Sequence, residues 1–254
     1  MRLTNRAGLP LWESDLLAGV PGIRHGFTTR MGGVSRGDFE SFNISISVGD
    51  DPESVYENRR RLASTFHVQP SEIHLHTQIH GNTVAVLPVE NSENPLRADA
   101  FVTNASGIPA IVGVADCVPI LVAAEDGSAV AAIHAGWRGA VAGIVPETID
   151  LLKSTCGTDS SALRAAIGPA IGKCCFEVGE EVSAQFPVGC VDETGTKPHV
   201  DLPRYVFQQL VATGVREERI DSSDVCTMCR QDACFSHRGS GGRTGRMVAL
   251  ITRV

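Results

Sequence analysis

Apolar residues in this chain come in short runs separated by glycine- and proline-rich breaks, and the densest runs lie in the middle. PAIVGVAD (109–116), VPILVAA (118–124) and AVAAIHA (129–135) are continuous and β-branched, the pattern of strands buried on both faces. TVAVLPV (83–89), AFVTN (100–104), LRAAIGP (163–169) and the terminal MVALITRV are read as further strands. Helical spacing predicts three or four helices. Asp51-Pro52 marks the start of one, with Val55, Leu62 and Phe66 on one apolar face. WRGAVAGIVPETIDLLKST, from Trp137 onward, reads as a helix that Pro146 should interrupt. VGEEVSAQF (178–186) and LPRYVFQQLVATG (202–214) complete the set. The first 50 residues look loop-rich, above all HGFTTRMGGVSRGDFESFNIS. The order of elements is mixed, so the pattern predicts an α/β or α+β sandwich with a central sheet and flanking helices, one domain over residues 1–254.

Composition narrows the function. Aromatics are 5% of the 254 residues, so the core rests on Val, Ile, Leu and Ala. The net charge is −7 and no basic cluster appears, which argues against a nucleic-acid partner. No apolar run approaches the roughly 18 residues of a membrane span. The N-terminus has no sustained apolar segment, so a leaderless cytoplasmic protein is expected. In that setting the eight cysteines are expected to be free, catalytic or metal-bound.

Three segments carry candidate chemistry: Gln78-Ile79-His80-Gly81, Ala115-Asp116-Cys117-Val118-Pro119 and His134-Ala135-Gly136-Trp137-Arg138-Gly139. Each places a histidine or cysteine at the end of an apolar run or beside a glycine. Two imidazoles and a thiolate suit zinc, and three protein ligands leave the fourth tetrahedral position for water or substrate. Spacing alone does not link the three. A lone histidine after a strand, or a cysteine in an apolar run, is more often a packing residue. Cys226-x-x-Cys229 has the form of half a zinc ribbon, without a second CxxC. The adjacent Cys174 and Cys175 do not readily share one tetrahedral ion. Both pairs are therefore read first as packing residues, with an accessory metal or redox role as the other reading.

Together the segments resemble the YfiH-like, DUF152 or "laccase domain" family, whose members are also named multicopper polyphenol oxidases and peptidoglycan editing factors. The resemblance runs from HGFTTRMGGVSRGDFESFNIS and VGDDPESVYENRRRL through TQIHG, RADAFVT, ADCVPIL, HAGWRG and IGPAIGKCCFEVG to CTMCRQDACFSHRGSGGRTGR. It implies that His80, Cys117 and His134 are the metal ligands, that zinc is the usual ion, and that the fold is a four-layer α/β/β/α sandwich related to a toxin deamidase domain. It also implies zinc-dependent phosphorolysis of adenosine, inosine, guanosine and related nucleosides, with adenosine deamination. Under that implication Asp116 is the carboxylate nearest the ligands in sequence and the first choice for a proton shuttle; orienting a ligand histidine is its other open role. Arg30, Arg59, Arg138 and Arg238 are the arginines on offer to phosphate. Asn43 and Glu177 are polar groups in matching segments. Arg138 could equally brace Trp137, Glu177 could cap a helix, Arg59 could sit on a solvated face and Arg30 in a surface loop. Phe176 and His237 depart from the family pattern, where tyrosine and a Ser-Tyr-Arg run are common. The rival functions are copper-dependent polyphenol oxidation, a cysteine hydrolase with Cys117 as nucleophile and His134 as base, and a non-catalytic role in cell-wall editing. Small-molecule purine nucleosides and phosphate are the expected partners, with a monomer or small homo-oligomer.

Overall fold

A computed structural model of the chain describes residues 1–88 and 96–254. Among the described residues thirteen strands and six helices follow in order: β1 (Arg2–Arg6), β2 (Leu9–Glu13), α1 (Asp15–Ala18), β3 (Ile23–Thr28), α2 (Pro52–Phe66), β4 (Val84–Leu87), β5 (Ala100–Thr103), β6 (Ala110–Val114), β7 (Val118–Ala124), β8 (Val130–Ala135), α3 (Trp137–Val141), α4 (Ile144–Cys156), β9 (Leu163–Ile167), α5 (Glu180–Ser183), β10 (Val191–Asp192), β11 (His199–Val200), α6 (Leu202–Ala212), β12 (Ile220–Ser222) and β13 (Met247–Arg253). A five-stranded sheet runs β1-β2-β3-β13-β6, and a six-stranded sheet runs β12-β9-β7-β8-β5-β4.

The alternation of side chains sets the layers. Along β13, Met247, Ala249 and Ile251 enter a core shared with Leu121, Ala123, Val130 and Ala132 of β7 and β8. Val248 and Leu250 point the other way, onto Leu62 and Phe66 of α2. Along β7, Val118, Ile120 and Val122 turn outward onto Ile144, Ile149 and Leu152 of α4 and Val206 and Leu210 of α6. Two sheets therefore pack face to face, with α2 outside one and α3, α4 and α6 outside the other. This is the expected four-layer order. It explains why β6, β7 and β8 read as continuous apolar runs, since they are buried over their whole length.

Three expectations need correction. The loop-rich reading of the first 50 residues holds for 29–50 but misses β1, β2, β3 and α1, which occupy much of residues 2–28. The outer strand β1 is mostly exposed, so its polar sequence RLTNR carries no apolar signal. Ala7 and Gly8, both at positive φ, turn it into β2. The helix after Trp137 breaks at Gly143, at φ 89°, rather than at Pro146. Pro146 sits in the first turn of α4, where no intrahelical acceptor awaits its missing N–H. The 178–186 helix shrinks to the four residues of α5.

The remaining predicted elements stand within a few residues of their expected ends. Val89, the last residue of the 83–89 strand, lies outside the described residues. Asp51 caps α2 by accepting the Ser54 N–H at 3.0 Å. Among the described residues no helix is long and apolar enough to cross a membrane.

Candidate metal centre

Sheet register brings three distant chain segments to one end of the sandwich. Pro119 pairs with His134 across β7 and β8, and Ala100 pairs with Ile133 across β5 and β8. The starts of β5 and β7 thus meet the end of β8. His134 has the parity of Val130 and Ala132, so it faces the space between the sheets. Cys117 lies one residue before β7 and joins it there.

His80, Cys117 and His134 each present one donor atom, and these atoms lie within 4.8 Å of one another. The two imidazoles stand edge to face, with centroids 4.9 Å apart. His134 is buried, Cys117 half-buried and His80 exposed, so the trio opens outward from the core. Gly136 leaves room for the trio: a Cβ there would lie 3.2 Å from Cys117 Sγ and from His80 Cδ2, so one of them would have to give way by a few tenths of an ångström.

Asp99 organises the centre. It is fully buried just before β5. Its carboxylate accepts the backbone N–H groups of Ile79, His80 and Gly81 at 3.2, 2.9 and 2.9 Å. That bends the 79–81 loop around it and holds His80 at φ 58°. Asp99 Oδ1 also lies 2.9 Å from His134 Nδ1, which assigns the proton to Nδ1 and leaves Nε2 free to ligate. Gln78 anchors the same loop to β6, accepting the Gly113 N–H at 2.7 Å and donating to the Gly113 carbonyl at 2.9 Å.

Electrostatics follow the geometry. Burial raises the Cys117 thiol pKa, but the charges and hydrogen bonds of His134 and His80 outweigh it and bring it down to about 6. Burial lowers the His134 pKa, yet the Cys117 thiolate and Asp99 lift it to about 9. Asp99 is held below the ordinary carboxylate range: burial acts against ionisation, and His134 with the Gly81 and His80 N–H groups prevail. A half-buried thiolate beside two imidazoles, one oriented by a carboxylate, is a three-donor set that fits zinc.

That opening is a cavity of about 690 Å³, within the usual range for small-molecule sites. Besides the three donors, its walls include Ser45, Ser47, Arg59, His76, His237 and Arg246. Among the described residues no carboxylate lines it.

The other predicted site residues are scattered. Arg59 lines the cavity, its Nε donating to the Ile44 carbonyl at 3.0 Å. Asn43 is fully buried. Its amide oxygen accepts the Ser45 and Arg246 N–H groups at 3.1 and 2.9 Å, so it shapes the wall that carries Arg246. Arg30 donates to the carbonyls of Glu40 and Gln231 and lies over the Phe235 ring, bracing the glycine-rich loop.

Asp116 has both oxygens occupied: Thr227 Oγ1 donates to one at 2.6 Å and the Arg238 N–H to the other at 2.7 Å. Its partners are therefore in a C-terminal loop, and Asp99 is the carboxylate on His134. Arg138 stacks on Trp137, 4.2 Å from the ring centroid. With Glu177 and Arg238 it borders a separate cleft of about 460 Å³. Glu177 pairs there with Lys197 at 2.7 Å.

Sequence reasoning missed Asp99, His76 and Arg246. An acid opening the apolar stretch ADAFVT was the available signal for Asp99; nothing local singled out the other two.

Comparison with known proteins agrees with this construction. The family model described as "Multi-copper polyphenol oxidoreductase laccase" matches residues 24–254. A protein of Corynebacterium glutamicum named purine nucleoside phosphorylase is 37% identical over 235 residues, covering 90% of this chain and 94% of its own. The Escherichia coli purine nucleoside phosphorylase YfiH is 37% identical over 231 residues, covering 88% and 91%. The crystal structure of YlmD from Geobacillus stearothermophilus superposes with a TM-score of 0.88 at 33% identity, over 99% of this chain and 98% of that one. With both sequence and fold matched along nearly the whole length, the chain belongs to the laccase-domain family of YfiH-like proteins.

Proposed function

We propose that this chain is a zinc-dependent purine nucleoside phosphorylase that also deaminates adenosine. The observation that carries this reading is the His80–Cys117–His134 donor set at the wall of a cavity that also holds two arginines and two further histidines. The names of the relatives supply the substrate class.

His80, Cys117 and His134 would hold the ion, and when bound it supplies a Lewis acid. Arg59 and Arg246 hold phosphate in the cavity by charge and hydrogen bonding. Burial, then the neighbouring His74, lowers the His76 pKa, so its imidazole is neutral near pH 7 and serves as a proton acceptor. His237 is the second imidazole within reach of a bound nucleoside. Asp116 acts as a positioning residue, fixing Thr227 and the Arg238 backbone beside Cys117. In this reading Glu177, Arg138 and Arg238 border the neighbouring cleft and do not touch the reacting atoms.

Zinc-loaded protein is expected to convert adenosine and inosine to free base when phosphate is present, and to release ammonia from adenosine. Absence of turnover on every purine nucleoside, with zinc bound at full occupancy, overturns the reading. An N/S donor set also takes Cu²⁺ ahead of zinc, so phenol oxidation by copper-loaded protein is a property to separate by metal analysis of protein prepared without added copper.

A second reading rests on one specific observation. Cys117, His134 and Asp99 have the composition of a nucleophile, base and orienting acid. Metal-free protein would then hydrolyse an amide or ester through Cys117. Amide turnover that zinc abolishes supports it; a metal-free protein inert to amides and esters removes it.

A further inference from the structure

Four cysteines outside the centre also converge. Cys174 and Cys175 lie in the loop after β9, and Cys226 and Cys229 in the loop after β12. Their sulfur atoms all fall within 4.8 Å of one another. Cys174 Sγ is 3.7 Å from Cys229 Sγ, and Cys175 Sγ is 3.4 Å from it. Those separations are too long for a disulfide of about 2.05 Å. They approach the edge of about 3.8 Å expected for a tetrahedron of sulfurs around an ion with bonds of about 2.3 Å.

Two features overcome the difficulty of adjacent ligands. The chain turns tightly at Lys173, with the Cys175 and Phe176 N–H groups both donating to the Gly172 carbonyl at 2.9 and 3.0 Å. The turn lets both neighbouring thiols reach Cys229. Gly172 also donates its own N–H to Cys226 Sγ at 3.2 Å, a bond that favours a thiolate. A Cβ at Gly172 would lie 3.2 Å from Cys226 Cβ and 3.3 Å from Cys174 Sγ, so the backbone is packed directly against the cluster. Core filling does not account for the arrangement, because Cys174 and Cys229 are exposed.

We infer that Cys174, Cys175, Cys226 and Cys229 form a second metal site, a tetrathiolate that takes zinc and staples the loop after β9 to the loop after β12. Four protein sulfurs fill a tetrahedral shell, so the site is structural and closed to substrate. Its place gives it a purpose. The two loops already share backbone bonds, from Ala170 to the Val225 carbonyl and from Thr227 to the Ala170 carbonyl. Thr227 in turn grips Asp116, the residue before Cys117. An ion here fixes the loop that braces the catalytic cavity.

The test is stoichiometry and ligand identity, independent of any turnover. Protein purified anaerobically, loaded with zinc and freed of loosely held ion should contain two zinc ions per chain. Cys117→Ala should contain one, and X-ray absorption of that variant should show sulfur neighbours alone at about 2.3 Å. Should Cys117→Ala fail to fold, the exposed ligand His80 gives the equivalent variant, His80→Ala. Cys229→Ser and Cys174→Ser should each lose one zinc and melt at a lower temperature while keeping the ion at the first centre. A single wild-type zinc that Cys117→Ala loses, nitrogen or oxygen neighbours in the residual site of Cys117→Ala, a Cys229→Ser protein with unchanged zinc, or a disulfide within the four under anaerobic conditions overturns the inference.

Discussion

The two thiol clusters are built on opposite principles. His80, Cys117 and His134 converge where β7 begins and β8 ends and at a neighbouring loop, held from below by a buried carboxylate and facing a cavity. The four-cysteine cluster sits on two loops, with a cleft of about 520 Å³ along its buried side at Gly172 and Cys226. Strand ends fix ligands rigidly and leave one side free, which suits chemistry. Loops need a staple, and a closed tetrathiolate provides one. The same element in the sequence, a cysteine, therefore does different work according to how many partners surround it.

The largest effect expected to separate the two is Cys117→Ala. Purine nucleoside turnover should fall to background in a continuous phosphorolysis assay, while the melting temperature changes little. Persisting turnover would move the catalytic centre elsewhere.

Thiol reactivity gives the next contrast. In metal-free protein Cys117, at a pKa of about 6, is mostly thiolate at pH 7.5. Cys174 is pushed up to about 11 by burial and by hydrogen bonds to Cys226 and Cys229, so it remains protonated there. Because nucleophilicity falls with pKa, the rate advantage of Cys117 is smaller than the thiolate ratio, on the order of tenfold. Alkylation followed by peptide mass spectrometry should label Cys117 first. As pH falls through about 6, Cys117 gains its proton and its own labelling rate should fall. Equal labelling of both clusters at pH 7.5 would remove the electrostatic distinction.

Asp99→Asn should cost about 10–100-fold in zinc affinity or turnover, because an amide cannot accept three backbone N–H bonds and orient His134 with its charge. The zinc of the four-cysteine cluster should be retained. Competition with a chelator on the purified variant measures it.

The smallest effects come from a matched pair of glycines. Gly136→Ala places a methyl 3.2 Å from Cys117 Sγ and His80 Cδ2 and should lower turnover about tenfold by displacing a ligand. Gly172→Ala crowds Cys226 and Cys174 to the same degree. It should lower the melting temperature by about 2–4 °C, for a cost of about 1 kcal/mol, with kcat/KM unchanged. Exchanged phenotypes would reverse the roles assigned to the clusters.

Much of this architecture is legible before folding is considered. The apolar runs of β6, β7 and β8 announce doubly buried strands, and the Asp51-Pro52 pair marks the start of α2. The motifs around His80, Cys117 and His134 mark the candidate ligands once they are seen as one set. Strands that face solvent are less visible. β1 is polar because little of it is buried, and the run of WRGAVAGIVPETIDLLKST hides a break that depends on Gly143 adopting a positive φ. Candidate substrate residues fared unevenly: Arg59 reaches the cavity, whereas Asn43 and Arg30 hold loops in place.

By itself, then, the sequence determined the family, the strands of the core and three candidate donors, because those are carried by local patterning and by motifs. Only the tertiary structure decided that Asp99 rather than Asp116 orients His134, that Arg246 shares the cavity with Arg59, and that Cys174 and Cys175 meet Cys226 and Cys229. Each of these depends on which strand ends and loops the sheet register brings side by side, a distance in space that no spacing along the chain records.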